Sequence, residues 1–331
     1  MFTKTLQCSS LFILFLMGAC GEDFLPENLL SESRILAVVA EPIEAGFKDN
    51  VTLKPVMHLP EGATIVSETW TFCPITLGSN FAFQCVVEAC ETVVTASDTP
   101  LGVVSEEPGS RLFDCAINHL APKASEEEVT SGAEALKEEE DDLPEIVETV
   151  FRYRAVIEET LADGSVQEVT RKSLTRIKLH TEEPPTNQNP VIESILVDEL
   201  VVNLEEIETG ITLSGASEKI DVCDKGSCEK SLRPFSFKIN VLESSLDSYF
   251  NDIDDTDKTE EPDMMFYVTA GRFVAEDSGL VVEGDWTFRS LTEEQEQTLM
   301  AGSLEALLYV VIRDGKGGTS AYGPYKFTVE P

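Results

Sequence analysis

The sequence has few positive charges for its length. Among its 331 residues, 24 are Lys or Arg and 61 are Asp or Glu, so the net charge at pH 7 is −37. A surface this acidic repels phosphate backbones and anionic lipid headgroups, so we expect no nucleic-acid partner and no electrostatic contact with lipid. The charge is typical of a highly soluble protein, and a cation-binding role is the alternative.

The sequence also lacks the motifs of the common enzyme classes. It contains no Gly-x-Ser-x-Gly elbow, no Walker loop, no His-Glu-x-x-His motif and no dinucleotide fingerprint. Only three histidines are present, His58, His119 and His180, and their spacing is not that of metal ligands. We therefore expect each histidine at the surface or at a strand edge. The sequence predicts a protein that is not an enzyme.

A membrane-spanning run is missing from the N-terminus, where Lys4 precedes seven apolar residues at 11–17. A bilayer requires about 20 such residues, whereas a short apolar centre after a positive charge is typical of a cleaved export signal. Residues 16–20, Leu-Met-Gly-Ala-Cys, resemble the bacterial lipoprotein box. The resemblance implies a signal peptide at 1–19, cleavage before Cys20 and attachment of acyl chains such as palmitate to Cys20.

An ordinary secretory signal, with Cys20 incidental, is the alternative. Met17 fits poorly three positions before such a cleavage site, which favours small residues. By the same resemblance, Gly21 stands where an aspartate would retain a lipoprotein in the inner membrane. The expected location is therefore the outer membrane of a bacterial cell envelope, with the membrane contacted through the lipid anchor. Residues 20–31 are polar and include Pro26, which is typical of a flexible tether.

Cysteine usage agrees with export. Apart from Cys8 and Cys20, six cysteines remain, an even number that predicts disulfides in an oxidising compartment. We expect Cys223 to pair with Cys228 across the short segment between them, and two bridges among the other four, whose pairing stays open. A zinc site is the alternative for those four, although their spacing lacks a Cys-x-x-Cys pair. The four are Cys73, Cys85, Cys90 and Cys115.

Short alternating segments predict an all-β protein with two β-sandwich domains. The first domain is expected at 32–183 and the second at 191–331. The linker at 184–190 contains three prolines, which forbid a helix or an inner strand. Strands are predicted at 34–40, 51–53, 68–73, 147–158, 166–179, 192–197, 211–214, 235–242, 264–269, 285–288, 307–313 and 325–329. Hairpin turns are predicted at 162–165 and 314–318.

Two segments depart from the strand pattern. Residues 121–147 form an acidic insert, in which a short helix and partial disorder are equally compatible with the composition. The second segment begins at Leu291, and a helix is predicted there with Thr292 as its N-cap, Gln295 completing the capping box and an end near Gly302.

Several motifs resemble those of bacterial immunoglobulin-like and polycystic-kidney-disease-like domains, at 189–192, 266–273, 285–288 and 309–318. The segments at 34–42 and 70–74 are similar to the front domain of cell-surface lipoproteins from myxobacteria and their relatives. The resemblance covers most of the chain after the signal. It implies two tandem immunoglobulin-like β-sandwich domains with short helical insertions, and a location at the cell envelope. Its motifs are structural, so it implies no single activity.

One acidic segment is a candidate metal site. Asp252, Asp254, Asp257 and Asp263 could supply oxygen ligands to Ca²⁺. The glycine that bends an EF-hand loop is missing, and Asp263 stands at the twelfth position where the EF-hand has glutamate. A solvated acidic loop is the alternative interpretation.

The sequence thus predicts a lipid-anchored envelope protein with a structural or binding role, whose partner is an unidentified envelope or extracellular protein or a glycan. The first alternative is a calcium-dependent adhesion module that uses the Asp252 segment. The second is an accessory subunit or enzyme of the envelope that carries no recognisable motif.

Overall fold

The computed structural model describes residues 28–94, 103–116, 119, 145–161, 163–185, 187–202, 210–216, 219–224, 227–251, 256–275, 278–288 and 291–331. Strands dominate, so the chain is all-β as predicted. No helix among the described residues has the length and apolarity needed to cross a bilayer. The acidic insert lies outside the described residues except at its end, where β7 begins at Ile146 rather than after it.

Among the described residues, the first half of the chain contains eight strands and one short helix. The strands are β1 (Arg34–Glu41), β2 (Glu44–Gly46), β3 (Val51–His58), β4 (Thr64–Cys73), β5 (Thr92–Val94), β6 (Val104–Glu106), β7 (Ile146–Thr160) and β8 (Val166–His180). Helix α1 (Pro108–Cys115) starts at a proline, which is favoured in the first turn because its missing N–H would have no partner there.

The strands of this half form two sheets that enclose one core. A three-stranded sheet has the order β1-β3-β6, and a five-stranded sheet has the order β2-β8-β7-β4-β5. The core between them is formed by alternating apolar residues of both sheets, including Leu53, Trp70, Phe151 and Ile177. Strand β1 pairs antiparallel with β3, and the chain then crosses to the other sheet, where β2 pairs parallel with β8. This architecture is an immunoglobulin-like sandwich.

The second half of the chain contains a further sandwich. Its strands are β9 (Ile192–Val197), β10 (Leu200–Val202), β11 (Ile211–Leu213), β12 (Lys219–Asp224), β13 (Ser227–Leu232), β14 (Phe235–Val241), β15 (Ser248–Asn251), β16 (Thr256–Thr259), β17 (Asp263–Val268), β18 (Arg272–Ala275), β19 (Val281–Thr287), β20 (Leu304–Arg313) and β21 (Thr319–Val329). Helix α2 (Glu293–Ala301) has the predicted capping box between Thr292 and Gln295 and ends at Gly302.

Two large sheets again face each other, with the orders β10-β9-β14-β19-β18 and β11-β21-β20-β17. Strands β12 with β13, and β15 with β16, form two separate hairpins. The core is aromatic at its centre, where the indole of Trp286 lies 5.9 Å from the ring of Phe237 and 5.3 Å from that of Phe327. As in the first half, an early strand pairs parallel with the last one, here β11 with β21.

Candidate functional site: the junction between the sandwiches

The two sandwiches share a small apolar cluster at their junction. Strand β1 has a register shift between Ile35 and Ala37, a bulge that turns neighbouring side chains to opposite sides. Val38 and Ala40 point into the first core, whereas Leu36 and Ala37 pack outward. There they meet an outward face of the second sandwich. The buried residues of this junction cluster are Leu30, Leu36, Ala37, Tyr267, Tyr309 and Val311.

The segment that precedes β1 is part of the same junction. The N–H of Leu30 donates to the carbonyl of Val268 at 2.7 Å, and the N–H of Val268 donates to the carbonyl of Asn28 at 2.9 Å. The side-chain amide of Asn28 also donates to the carbonyl of Phe273 at 2.8 Å. The flexible tether predicted to reach residue 31 therefore ends by Asn28, because Leu30 is buried against the second sandwich.

His58 lies inside this junction rather than at the surface. It is 3% exposed, and its Nδ1 lies 3.3 Å from the hydroxyl oxygen of Tyr309. Burial lowers the pKa of His58 and raises the pKa of Tyr309 to about 12, since both charged forms would lose hydration there. The surface position predicted for His58 is wrong, because the end of β3 is covered by the second sandwich.

A second polar group lies where the linker leaves the first sandwich. The carboxylate of Glu44 accepts hydrogen bonds from Lys178 at 2.8 Å and Asn187 at 3.1 Å, and lies 2.6 Å from Nε2 of His180. Burial opposes ionisation of Glu44, but the hydrogen bonds and the charge of Lys178 outweigh it and lower the pKa of this carboxyl. His180 is buried as well, so its predicted surface position is also wrong. His119, the third histidine, is exposed as predicted.

The turn between β20 and β21 fastens the linker to both sandwiches. The Oδ1 atom of Asp314 accepts from the N–H groups of Lys316, Gly317 and Gly318 at 2.7–3.0 Å, which shapes the turn. Asn189 then bridges the two halves, because its amide donates to the carbonyl of Ala40 and its Oδ1 accepts from the N–H of Thr319. The hairpin tip predicted at 314–318 is confirmed. Its contact with the linker was not predicted from the sequence.

Two carboxyl groups of the second sandwich lie near the carboxylates of Asp314 and Glu44. Burial raises the pKa of Glu260, and the nearby charges of Asp314 and Asp247 raise it further. Burial also raises the pKa of Asp247, although that carboxylate accepts a hydrogen bond from the backbone of the linker residue Gln188. Both groups therefore hold a proton more readily in the folded protein than in the unfolded chain.

Four of the predicted disulfide cysteines form two bridges in the first half. Cys73 pairs with Cys85, and Cys90 pairs with Cys115 at the end of α1, with Cα–Cα distances of 5.7 and 5.3 Å. Cys223 and Cys228 are direct cross-strand partners in the backbone register of β12 and β13. Their side chains, and Cys20, the predicted lipid-attachment residue, lie outside the described residues.

The predicted calcium segment does not form one loop. Residues 256–259 form β16, and Asp263 is the exposed first residue of β17. Asp252 and Asp254 lie outside the described residues, as does the side chain of Asp257. Within the part of the chain that is described, no three His, Cys, Asp or Glu side chains are grouped to hold a metal ion.

One cleft lies beside the start of the linker and another lies at the junction. The first has a volume of about 760 Å³ and is lined by Phe47, Phe113 and His180 among others. The other has a volume of about 310 Å³ and lies between β1, β8 and the turn after β20.

The polar group around Glu44 has no local sequence motif. Glu44 lies at least 134 residues from its partners Lys178 and His180, so no short pattern could have revealed their contact. The polar linker residues Asn187 and Asn189 are the one sequence signal of these contacts.

Comparison with known proteins adds little to this description. No protein-family model matches the chain, and a search of curated proteins finds no match. Among solved structures, the chain is similar to the fibronectin(III)-like modules of Clostridium thermocellum CbhA, with 9% identity and a TM-score of 0.20. That alignment covers 89% of this chain and 93% of the other. At so low a TM-score it carries no argument, and the β-sandwich architecture follows from the strand pairing described above.

Proposed function

We propose that this chain is a lipid-anchored binding protein of the bacterial cell envelope. An export signal at 1–19 and acylation of Cys20 would hold it at the outer membrane, with no catalytic role. The motif at residues 16–20 and the pairs Cys73–Cys85 and Cys90–Cys115 support export to an oxidising compartment. Several acyl chains give a durable anchor because each buried methylene contributes about 0.8 kcal/mol.

The position at which the tether joins the fold carries the proposal. Asn28 and Leu30 are hydrogen-bonded at the junction of the two sandwiches, and Asn28 stands eight residues after Cys20. Even when fully extended, those residues span only about 28 Å. An anchor at Cys20 would therefore keep the junction close to the membrane surface, where a partner in the envelope could reach it.

Intact mass spectrometry of the protein from the membrane fraction of its native host tests this proposal. The expected product begins at Cys20 and carries the mass of two or three acyl chains. A Cys20→Ala variant should lose that mass and leave the membrane fraction, and a Cys8→Ala variant is the matched control because Cys8 lies within the signal. An unmodified chain recovered from the medium would overturn the lipid anchor.

A further inference from the structure

The outer face of the five-stranded sheet carries a cluster of basic side chains. Successive side chains of a strand point to opposite faces of its sheet. Tyr153 of β7 lies in the first core, so its neighbours Arg152 and Arg154 point to the outer face. In the register of β7 and β8, Lys172 is the direct partner of Arg154 and lies on the same side. Together with Arg176, four residues further along β8, these side chains form the basic face: Arg152, Arg154, Lys172 and Arg176.

Arg154 and Lys172 stand directly opposite each other on this face. The Cβ atoms of such cross-strand partners lie about 5 Å apart, and like charges in this position are destabilising. Both side chains are exposed, and no carboxylate of the described residues forms an ion pair with either of them. The pair does not stabilise the fold, and its placement favours an anionic group that both cations contact at once.

The other two guanidinium groups of the basic face are held in place at one end of it. Arg152 forms an ion pair with Glu91 at 2.7 Å and donates to the carbonyl of Phe83. Arg176 approaches Glu148 at 3.4 Å and lies over the ring of Phe83, 5.7 Å from its centroid. The opposed pair beside them therefore carries the charge that is not compensated within the described residues.

The centre of the outer face is polar. The neighbouring strand β4 presents Thr69 and Thr71 on this side, as direct partners of the two β7 arginines. Leu174 on β8 and Val93 on β5 are exposed there, but two strands lie between them, so they form no common apolar patch. The centre of this face thus offers hydroxyl and cationic groups to a ligand, in place of the apolar core that is typical of a protein interface.

The net charge of the whole chain limits the shape of an anionic partner. At −37 the protein repels anions in general, and Glu158 and Glu168 already border the basic face at the hairpin end. Charges are screened beyond about 8 Å at physiological ionic strength, so contacts at the face itself decide the affinity. A linear polymer can follow the four cations and avoid the acidic residues around them, whereas a planar anionic membrane cannot.

We propose that the basic face binds a linear acidic polysaccharide through its carboxylate groups. Arg154 and Lys172 bind one carboxylate together, and the hydroxyl groups of Thr69 and Thr71 contact the sugar. The inference rests on the proposed binding role at the cell envelope. It deepens that role by naming the class of ligand and the residues that select it.

Fluorescence polarisation with the full-length chain in non-ionic detergent micelles tests this inference, with a labelled hexamer of galacturonic acid as the probe. Lys172→Glu should weaken binding about tenfold or more. The same variant should raise the melting temperature by about 1–2 °C, because the opposed like charges become an ion pair. Unfolding then cannot explain its loss of binding. Lys54→Ala is the matched control, because Lys54 is exposed on the other sheet of the same sandwich and should leave binding unchanged.

Two altered ligands separate the recognition of an acidic sugar from other interactions. The methyl ester of the hexamer keeps the sugar and loses the charge, so it should bind about tenfold more weakly. A hexaglutamate peptide keeps the charge and loses the sugar, and it should also bind more weakly. Equal binding of either altered ligand, equal loss in Lys54→Ala, or no saturable binding up to about 1 mM would overturn the inference.

The acidic insert is the other occupant that this experiment distinguishes. Binding of the hexamer that appears only after residues 121–144 are deleted would assign the basic face to the insert and contradict the proposal. Equal affinity of the intact chain and the deletion variant is the expected result. The acylation test of the proposed function measures the mass at Cys20 and is independent of each of these outcomes.

Discussion

The two sandwiches have similar strand connections, but among the described residues their sources of stability differ. The first half carries two disulfides, Cys73–Cys85 and Cys90–Cys115, around a core of mixed aromatic and aliphatic residues. The second has a larger core, at whose centre Trp286 contacts Phe237, Phe288 and Phe327. A disulfide lowers the conformational entropy of the unfolded chain, whereas an aromatic cluster stabilises the folded state through packing. Two similar folds can thus be stabilised by different means, one by destabilising the unfolded state and the other by stabilising the folded state.

The chain has two tryptophans, and each half buries one of them, so fluorescence can follow the halves separately. Trp70 is fully buried in the first core and Trp286 in the second. We expect Trp286→Ala to have the largest effect, a loss of about 4 kcal/mol, because it leaves a cavity and an unpaired carbonyl at Ala270. Urea unfolding monitored through Trp70 should still show a cooperative transition. Loss of that transition would mean that the two halves fold as one unit.

Removal of the Cys90–Cys115 bridge should have the next largest effect, confined to the first half. The bridge closes a segment of 25 residues, and the double variant Cys90→Ala with Cys115→Ala should lose about 3.5 kcal/mol by the chain-entropy estimate. The transition is to be followed through Trp70 in a Trp286→Phe background. In a Trp70→Phe background, an equal shift of the Trp286 signal would contradict the assignment of this bridge to one half.

Leu30→Ala tests the coupling between the halves. Leu30 is 4% exposed in the junction cluster, so its truncation should cost about 2–3 kcal/mol and separate the transitions of the two tryptophans. Leu200→Ala is the matched control, since Leu200 is 73% exposed in the second half and its truncation should cost little. Coincident transitions in the Leu30→Ala variant would count against coupling through this cluster.

Ionisation of Glu44 and of Glu260 should change the free energy of unfolding in opposite directions. Both changes should be smaller than the effects of the substitutions above. The pKa of Glu44 is lowered in the folded protein, so its contribution is present above pH 4.5 and is lost as the pH falls through the folded pKa. Glu44→Gln should therefore cost about 1–2 kcal/mol at pH 7. The pKa of Glu260 is raised, so its ionised form opposes folding above that pKa, and the penalty disappears below pH 4.5.

Glu260→Gln should accordingly raise the melting temperature at pH 7 by about 1–2 °C, and the gain should vanish at pH 4. Glutamine keeps the acceptor that Glu260 offers to the N–H of Asp247 at 3.0 Å. Thermal unfolding of both variants between pH 4 and 8 measures these trends. Melting-temperature changes of the same sign in Glu44→Gln and Glu260→Gln would contradict the opposite environments of the two groups.

Local patterns predicted most of the long strands, because alternating burial leaves a period of two in β14 and in part of β7, and a continuous apolar run marks the buried centre of β20. The helix at 293–301 was predicted equally well, since a capping box is a local signal. Short strands such as β5, β6 and β18 were missed, because three or four residues carry no period. Helix α1, of eight residues, was missed as well. The burial of His58 and the contacts of Glu44 arise from the docking of distant segments, which no single-sequence pattern records.

The entry of the tether at the junction has a mechanical consequence. If the chain is pulled away from a membrane through an anchor at Cys20, the load reaches the second sandwich first, through the two hydrogen bonds between residues 28–30 and Val268. Their arrangement is that of a parallel strand bridge between Leu29 and Val268. Only after these contacts rupture would tension reach β1 and the first sandwich with its two disulfides. The junction would therefore separate before either core unfolds.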